Sequence, residues 1–232
     1  MQNTITPTPT PPAAFMRISR PGPFSRVSSP FRMEAVIEPG ADGLVHLEIT
    51  GEDGRTIHRE DMDFRAMADR RLSIAPEISF DIIAAAETAR LSIWIQDEFD
   101  RTAYLTAVDL VLMKIGDDDI FPPASQQEPY VIRSPKDEDL VTGGTVQVVG
   151  LAQLVNQQPL LVELLDEEGE LLSQAEVPVS LPYGDLSHIP FTLSLPYDIE
   201  EPVNARLVFR QESAGRIPGT VFLSSLALTL EP

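Results

Sequence analysis

Three kinds of side chain in this sequence could carry chemistry: its three histidines, its clustered carboxylates and its one tryptophan. A nucleophilic serine needs a His or Lys base beside it. The three histidines are His46, His58 and His188, and no Gly-x-Ser-x-Gly or phosphate-binding glycine loop accompanies them. His46 and His58 flank Glu52-Asp53-Gly54 on adjoining segments, which invites a metal reading across a hairpin. Both fall at the polar positions of an alternating pattern, so outward-facing histidines are expected instead. Paired carboxylates occur at Asp97-Glu98-Phe99-Asp100, Asp117-Asp118-Asp119, Asp137-Glu138-Asp139 and Asp166-Glu167-Glu168. A glycosidase needs one carboxyl with a raised pKa in a shaped cleft, and acid runs in turns do not supply that. No enzyme is therefore expected.

Hard oxygen ligands suit calcium. Asp117, Asp118 and Asp119, with Asp137 and Asp139, are the candidate ligands if two domains meet near them. The Asp-x-Asp-x-Asp-Gly pattern is absent, so solvated acids are the default and no cofactor other than calcium is considered. Trp94 alternates out of phase with Leu91, Ile93 and Ile95, and Tyr104 lies nearby in sequence. Trp94 and Tyr104 are the candidate contacts for a sugar ring or a protein partner.

Composition narrows the classes. The 232 residues include 17 Lys+Arg, 36 Asp+Glu and no Cys, for a net charge of −19. Without cysteine there are no disulfides, thiol catalysis or Cys-type zinc sites. The charge disfavours nucleic acid, and no run of about 18 apolar residues is long enough to span a membrane. Residues 1–116 carry 12 basic and 17 acidic side chains, a net of −5; residues 117–232 carry 5 and 19, a net of −14. Such a step suggests two units.

These residues must be positioned by strands. Val45, Leu47 and Ile49 alternate with polar neighbours, as do Leu91, Ile93 and Ile95, Val146 and Val148, and Leu226, Leu228 and Leu230. Period-2 alternation is the mark of strands with one buried face. Glu52-Asp53-Gly54 and Glu167-Glu168-Gly169 read as hairpin turns with glycine at positive φ. Helical turns are expected only over residues 61–71 and 80–90.

The halves also repeat. Ile18-Ser19-Arg20-Pro21 matches Ile132-Arg133-Ser134-Pro135, Leu47 to Gly54 matches Val162 to Gly169, and Ala89-Arg90-Leu91 matches Ala205-Arg206-Leu207, at offsets of 114, 115 and 116. A period this long means tandem domains. Residues 1–14 are Thr/Pro-rich and read as a disordered spacer. Two immunoglobulin-like β-sandwiches of about seven strands follow, over 15–116 and 130–232, joined by an acidic, Pro-rich linker over 117–129. The expected class is all-β.

The second copy resembles the immunoglobulin-like domain of bacterial spore-germination and sporulation proteins. The matching blocks are Ile132 to Pro135, Val146 to Ala152, Val162 to Gly169, Phe191, and Ala205 to Leu207. The likeness covers about 130–230, and the first half shares it only through the repeat. Gln211 to Gly215 and the Leu181 to Pro190 loop depart from the pattern. The resemblance implies an extracytoplasmic, non-enzymatic accessory domain. With the spacer, it suggests a cell-surface location supported by a signal or anchor upstream of Met1; a complete start would mean the cytoplasm instead. The expected function is a structural or protein-binding module, with a protein or cell-wall component as partner. The alternative is a carbohydrate- or cell-wall-binding module that uses Trp94, Tyr104 and calcium.

Overall fold

A computed structural model describes residues 11–68, 70–177 and 188–232. The first copy comprises β1 (Arg17–Arg20), β2 (Arg26–Ser28), β3 (Phe31–Arg32), β4 (Glu34–Ile37), β5 (Leu44–Gly51), β6 (Thr56–Asp63), β7 (Leu72–Ile74), β8 (Glu77–Ile78), β9 (Ala86–Gln96) and β10 (Thr102–Met113). The second comprises β11 (Tyr130–Ser134), β12 (Asp139–Val141), β13 (Thr145–Ala152), β14 (Leu160–Leu165), β15 (Leu171–Val177), β16 (Ile189–Pro196), β17 (Val203–Glu212) and β18 (Thr220–Leu230). The chain is all-β. The expected helical turns reduce to one 3-10 turn, Arg65–Met67, because residues 61–63 complete β6 and β9 begins at Ala86. Over 80–90 the β-branched Ile82, Ile83 and Thr88 disfavour helix.

Both copies share one topology, to which the first adds a two-stranded sheet, β3-β8. In each, a three-stranded sheet (β1-β4-β7; β11-β13-β16) packs on a second sheet whose strands run in the order β10-β9-β5-β6 or β18-β17-β14-β15. A short strand lies parallel to the last strand of each copy: β2 on β10, and β12 on β18. Val45, Leu47, Ile49, Leu91 and Ile93 fill the first core, and Val146, Val148, Leu160, Val162 and Leu164 the second; all are fully buried. The repeat blocks occupy equivalent places. Ile18 to Pro21 and Ile132 to Pro135 each span a register irregularity where the first strand leaves its partner. Gly54 (φ 82°) and Gly169 (φ 79°) close the equivalent hairpins, a backbone setting that a side chain disfavours.

The two copies share one sheet. β10 pairs antiparallel with β18 through Tyr104↔Ser224, Leu105↔Leu223 and Thr106↔Phe222. This produces the order β15-β14-β17-β18-β10-β9-β5-β6, which reads the same from either end when equivalent strands are matched. One continuous cluster of buried apolar residues runs through both sandwiches.

The segment joining the copies is not a free spacer. Asp119 and Arg26 exchange backbone hydrogen bonds of 2.9 Å, the Gly22 N–H donates to Phe121 O at 3.2 Å, and Glu128 N–H donates to Pro12 O at 2.9 Å. The spacer expected over 1–14 lies outside the described residues up to residue 10. Its last residues are pinned: Ala13 bridges Gln127, and Ala14 is buried.

Candidate functional site

The junction concentrates the buried charge of the molecule. Asp97 follows β9 and Arg101 precedes β10, so a tight turn places both at the seam. The Arg101 guanidinium Nε donates to Asp97 Oδ2 at 2.8 Å, and Arg206 on β17 of the other copy donates to the same oxygen at 2.5 Å. Asp97 Oδ1 accepts the Arg101 and Phe99 backbone N–H groups. Arg101 also donates to the carbonyls of Asp166 and Asn204 in the second copy. Burial opposes ionisation of Asp97, but the Arg206 charge and these hydrogen bonds outweigh it and hold the carboxyl below its usual range.

Arg90, equivalent to Arg206 in the repeat, also reaches across. It pairs with Asp109 at 2.8 Å and donates to Ser213 Oγ and to Pro218 O. The registers explain why the two arginines differ. Arg90 faces Asp109 on the neighbouring strand, whereas Arg206 faces Ala227 and takes its counter-ion from the first copy.

A second carboxylate, on the partly buried Glu128, lies nearby. Glu128 Oε2 accepts the Phe15 N–H and the Tyr104 hydroxyl, both at 3.0 Å. Its Oε1 is buried without a hydrogen-bond partner. Burial pushes this carboxyl up, against the opposing effects of the Phe15 N–H, the Tyr104 hydroxyl and the charge of Arg71. Burial likewise lifts the Tyr104 phenol above its usual range, and the Glu128 charge adds to this. Tyr104 and Tyr130 both pack edge-on against Phe222, with ring centroids 5.2 and 5.3 Å apart.

Two cavities open at the seam. One, of about 710 Å³, lies in the fork where β10 leaves β18 to pair with β2, and the turn before β2 forms one wall. Its surface is mainly apolar, from Met16, Ile18, Leu154 and Phe222, and Phe24 (60% exposed) and Val155 (45%) lie at its rim. The other, of about 480 Å³, is lined by aromatic rings and carboxylates.

The expected aromatic pair does not exist. Tyr104 lies opposite Ile95, the neighbour of Trp94, so the two rings project from opposite faces of the sheet. Tyr104 is buried in the core. Trp94 is half-buried, stacks on His46 at 5.1 Å and has the Arg59 guanidinium 5.7 Å from its centroid. His46 is buried rather than outward, with Nδ1 2.7 Å from Asp61 Oδ1, and it faces Asp61 rather than His58, which faces Ile49. His188 Nε2 sits 2.7 Å from the Glu128 carbonyl oxygen.

The calcium candidates are also separated. Asp118 accepts the Ser28 N–H and hydroxyl beside the Met113 end of β10. Asp137 accepts the Ala227 N–H beyond the other end, and Asp139 accepts the Lys136 N–H. Between them lies the 12-residue length of β10, roughly 40 Å. Among the described residues, no three His, Asp or Glu side chains are grouped to hold a metal ion.

Sequence reasoning missed Arg101, Arg206, Asp97 and Glu128 as junction residues. The Ala-Arg-Leu repeat block was the available signal, because arginine at a core-edge strand position in both copies requires a buried partner.

No family model matches the chain, and no curated protein matches it in sequence. Solved structures give weak likenesses. A β-glucuronidase from Ruminococcus gnavus aligns at 13% identity and TM-score 0.27, covering 88% of this chain, which spans only 36% of that protein. The CBD12 fragment of CALX1.2 aligns at 11% identity and TM-score 0.21, covering 84% of this chain and 80% of that one. Scores this low transfer no activity or ligand. No helix among the described residues is long and apolar enough to cross a membrane.

Proposed function

We propose that the chain is a non-enzymatic, structural or protein-binding module that acts as one rigid two-copy body. The carrying observation is the shared sheet, locked by the Asp97–Arg101–Arg206 cluster, which fixes the walls of the 710 Å³ fork cleft. A preformed apolar cleft binds at lower ordering cost than a hinged one. The cleft is nearly neutral within a chain of net charge −19: Arg90 and Asp109 neutralise each other, leaving Arg17 as the remaining charge. An extended apolar segment of a partner protein, held also by amides such as Gln126 and Asn156, fits that lining. The alternative of a sugar platform loses its support, because Trp94 and Tyr104 do not share a face. An extracytoplasmic setting belongs to this proposal through the Thr/Pro segment and the spore-germination-type resemblance.

A photo-crosslinking residue at position 24 in living cells tests the reading, with the 95% exposed Ile83 outside the cleft as control. One discrete cross-linked protein from position 24, lost on Val155→Asp, is expected. No product, or the same products from position 83, would remove the cleft as a partner site.

A further inference from the structure

The 480 Å³ cavity joins two features that rarely occur together without a purpose. Its rim carries the exposed carboxylates Glu98, Asp137 and Glu138. Its interior presents Phe15, Tyr104 and Tyr130, with Glu128 among them. Asp137 is held in place by the Ala227 N–H, while Arg206, also on the lining, is occupied by Asp97 and Ser225.

Glu128 is the unusual member. Its partners are neutral donors on Oε2 only, and Oε1 is buried and unpartnered. A buried carboxyl without a counter-charge is costly to ionise. The groups around it are few. The Tyr104 hydroxyl, the Tyr130 backbone N–H and the charge of Arg71, whose guanidinium also bonds Ala14 O, favour its charge, but burial outweighs them, and His188 contacts the backbone carbonyl. Oε1 is thus left without a donor, and a cationic head group in the cavity would supply both a donor and a counter-charge.

The kind of cation follows from size and surface. A bare metal ion needs converging ligands, and no such group exists among the described residues. The cavity is also far larger than a single ion, and aromatic faces attract an organic cation with a diffuse charge. We propose that this cavity binds an organic cation, an ammonium or guanidinium head group, with Glu128 as its buried counter-ion and Glu98, Asp137 and Glu138 attracting it at the rim. The head group comes either from a Lys or Arg side chain of a partner protein or from a free polyamine. The inference stands apart from the fork cleft, which is a different cavity with a nearly neutral lining.

Calorimetric titration of the full chain at pH 7 and low salt tests it, with cadaverine, agmatine, an acetyl-Gly-Lys-Gly-amide peptide and neutral 1,5-pentanediol as probes. Cationic probes bind and pentanediol does not. Glu128→Gln weakens cation binding about tenfold or more, as removal of a buried counter-ion should. Acidification that protonates Glu128 weakens it as well. Tighter binding of the peptide assigns a partner side chain, and tighter binding of the diamine or agmatine assigns a free polyamine. If Glu128→Gln does not fold, the rim pair Glu98→Gln with Glu138→Gln, at exposed positions, still reads the proposal through an expected loss of a few-fold. Absence of heat with every cation, or unchanged affinity in the soluble variants, overturns it.

Discussion

Asp97 and Glu128 are both buried carboxyls at the same seam, yet their surroundings are opposite. Asp97 meets two arginines and two backbone N–H groups, and its proton is lost more readily than usual. Glu128 meets a hydroxyl and one N–H, the charge of Arg71 does not offset its burial, and its proton is held more firmly than usual. The contrast separates a carboxylate that builds the joint from one that the joint leaves unsatisfied. Burial alone does not give a charged residue its role; the count of opposite charges around it does.

The largest test of that contrast is Asp97→Ala. It leaves Arg101 and Arg206 buried without their counter-ion, and a loss of about 3–5 kcal/mol in urea unfolding is expected. A loss below about 1 kcal/mol would show that the cluster does not hold the copies together. Tyr104→Phe is next: it removes a donor from Glu128, and about 1–2 kcal/mol should be lost with the core otherwise intact.

Glu128→Gln has the opposite sign. The amide keeps an acceptor for Phe15 and Tyr104 and removes a buried charge, so stability at pH 7 should rise by less than either loss. The pH dependence separates the two carboxyls further. The folded pKa of Asp97 is lowered, so its contribution is complete above the ordinary value of 3.8 and is lost as pH falls through the lowered one. The folded pKa of Glu128 is raised, so its contribution is complete below 4.5 and is lost as pH rises through the raised one. Unfolding series from pH 3 to 8 should therefore show wild type losing ground to Glu128→Gln with rising pH. Parallel curves would mean that Glu128 does not titrate in the folded state. The smallest effect is expected at Asp118→Asn, an exposed contact to Ser28, at about 0.5 kcal/mol or less. Millimolar calcium should leave both that variant and wild type unshifted in thermal unfolding, given how far apart Asp118 and Asp137 lie; a rise in midpoint would restore calcium as a ligand.

Much of each sandwich was legible in residue alternation. Val45, Leu47 and Ile49 read as a buried strand face and are one, and the Gly54 and Gly169 turns stand where glycine at positive φ was expected. The junction was not legible. The pairing of Leu105 with Leu223 joins strands more than 100 residues apart, and alternation reports which face is buried, never which edge is paired. Glu128 sits in a Pro-rich acidic stretch that looks solvated, and only the docking of Phe15 and Tyr104 over it makes it interior. Trp94 read correctly as out of phase with the core, but His46 and Arg59 cover the ring that would otherwise be a platform.

The palindromic strand order carries one more consequence. β10 and β18 are equivalent last strands, and they meet antiparallel, so the copies are related by an approximate two-fold axis rather than by a translation along the chain. Such an isologous contact uses up the same edge on both partners and closes on itself. Head-to-tail stacking would have left a last-strand edge open and invited fibres. A single copy, cut loose, would keep that self-complementary edge, and the same geometry would bring two separate copies together as a dimer.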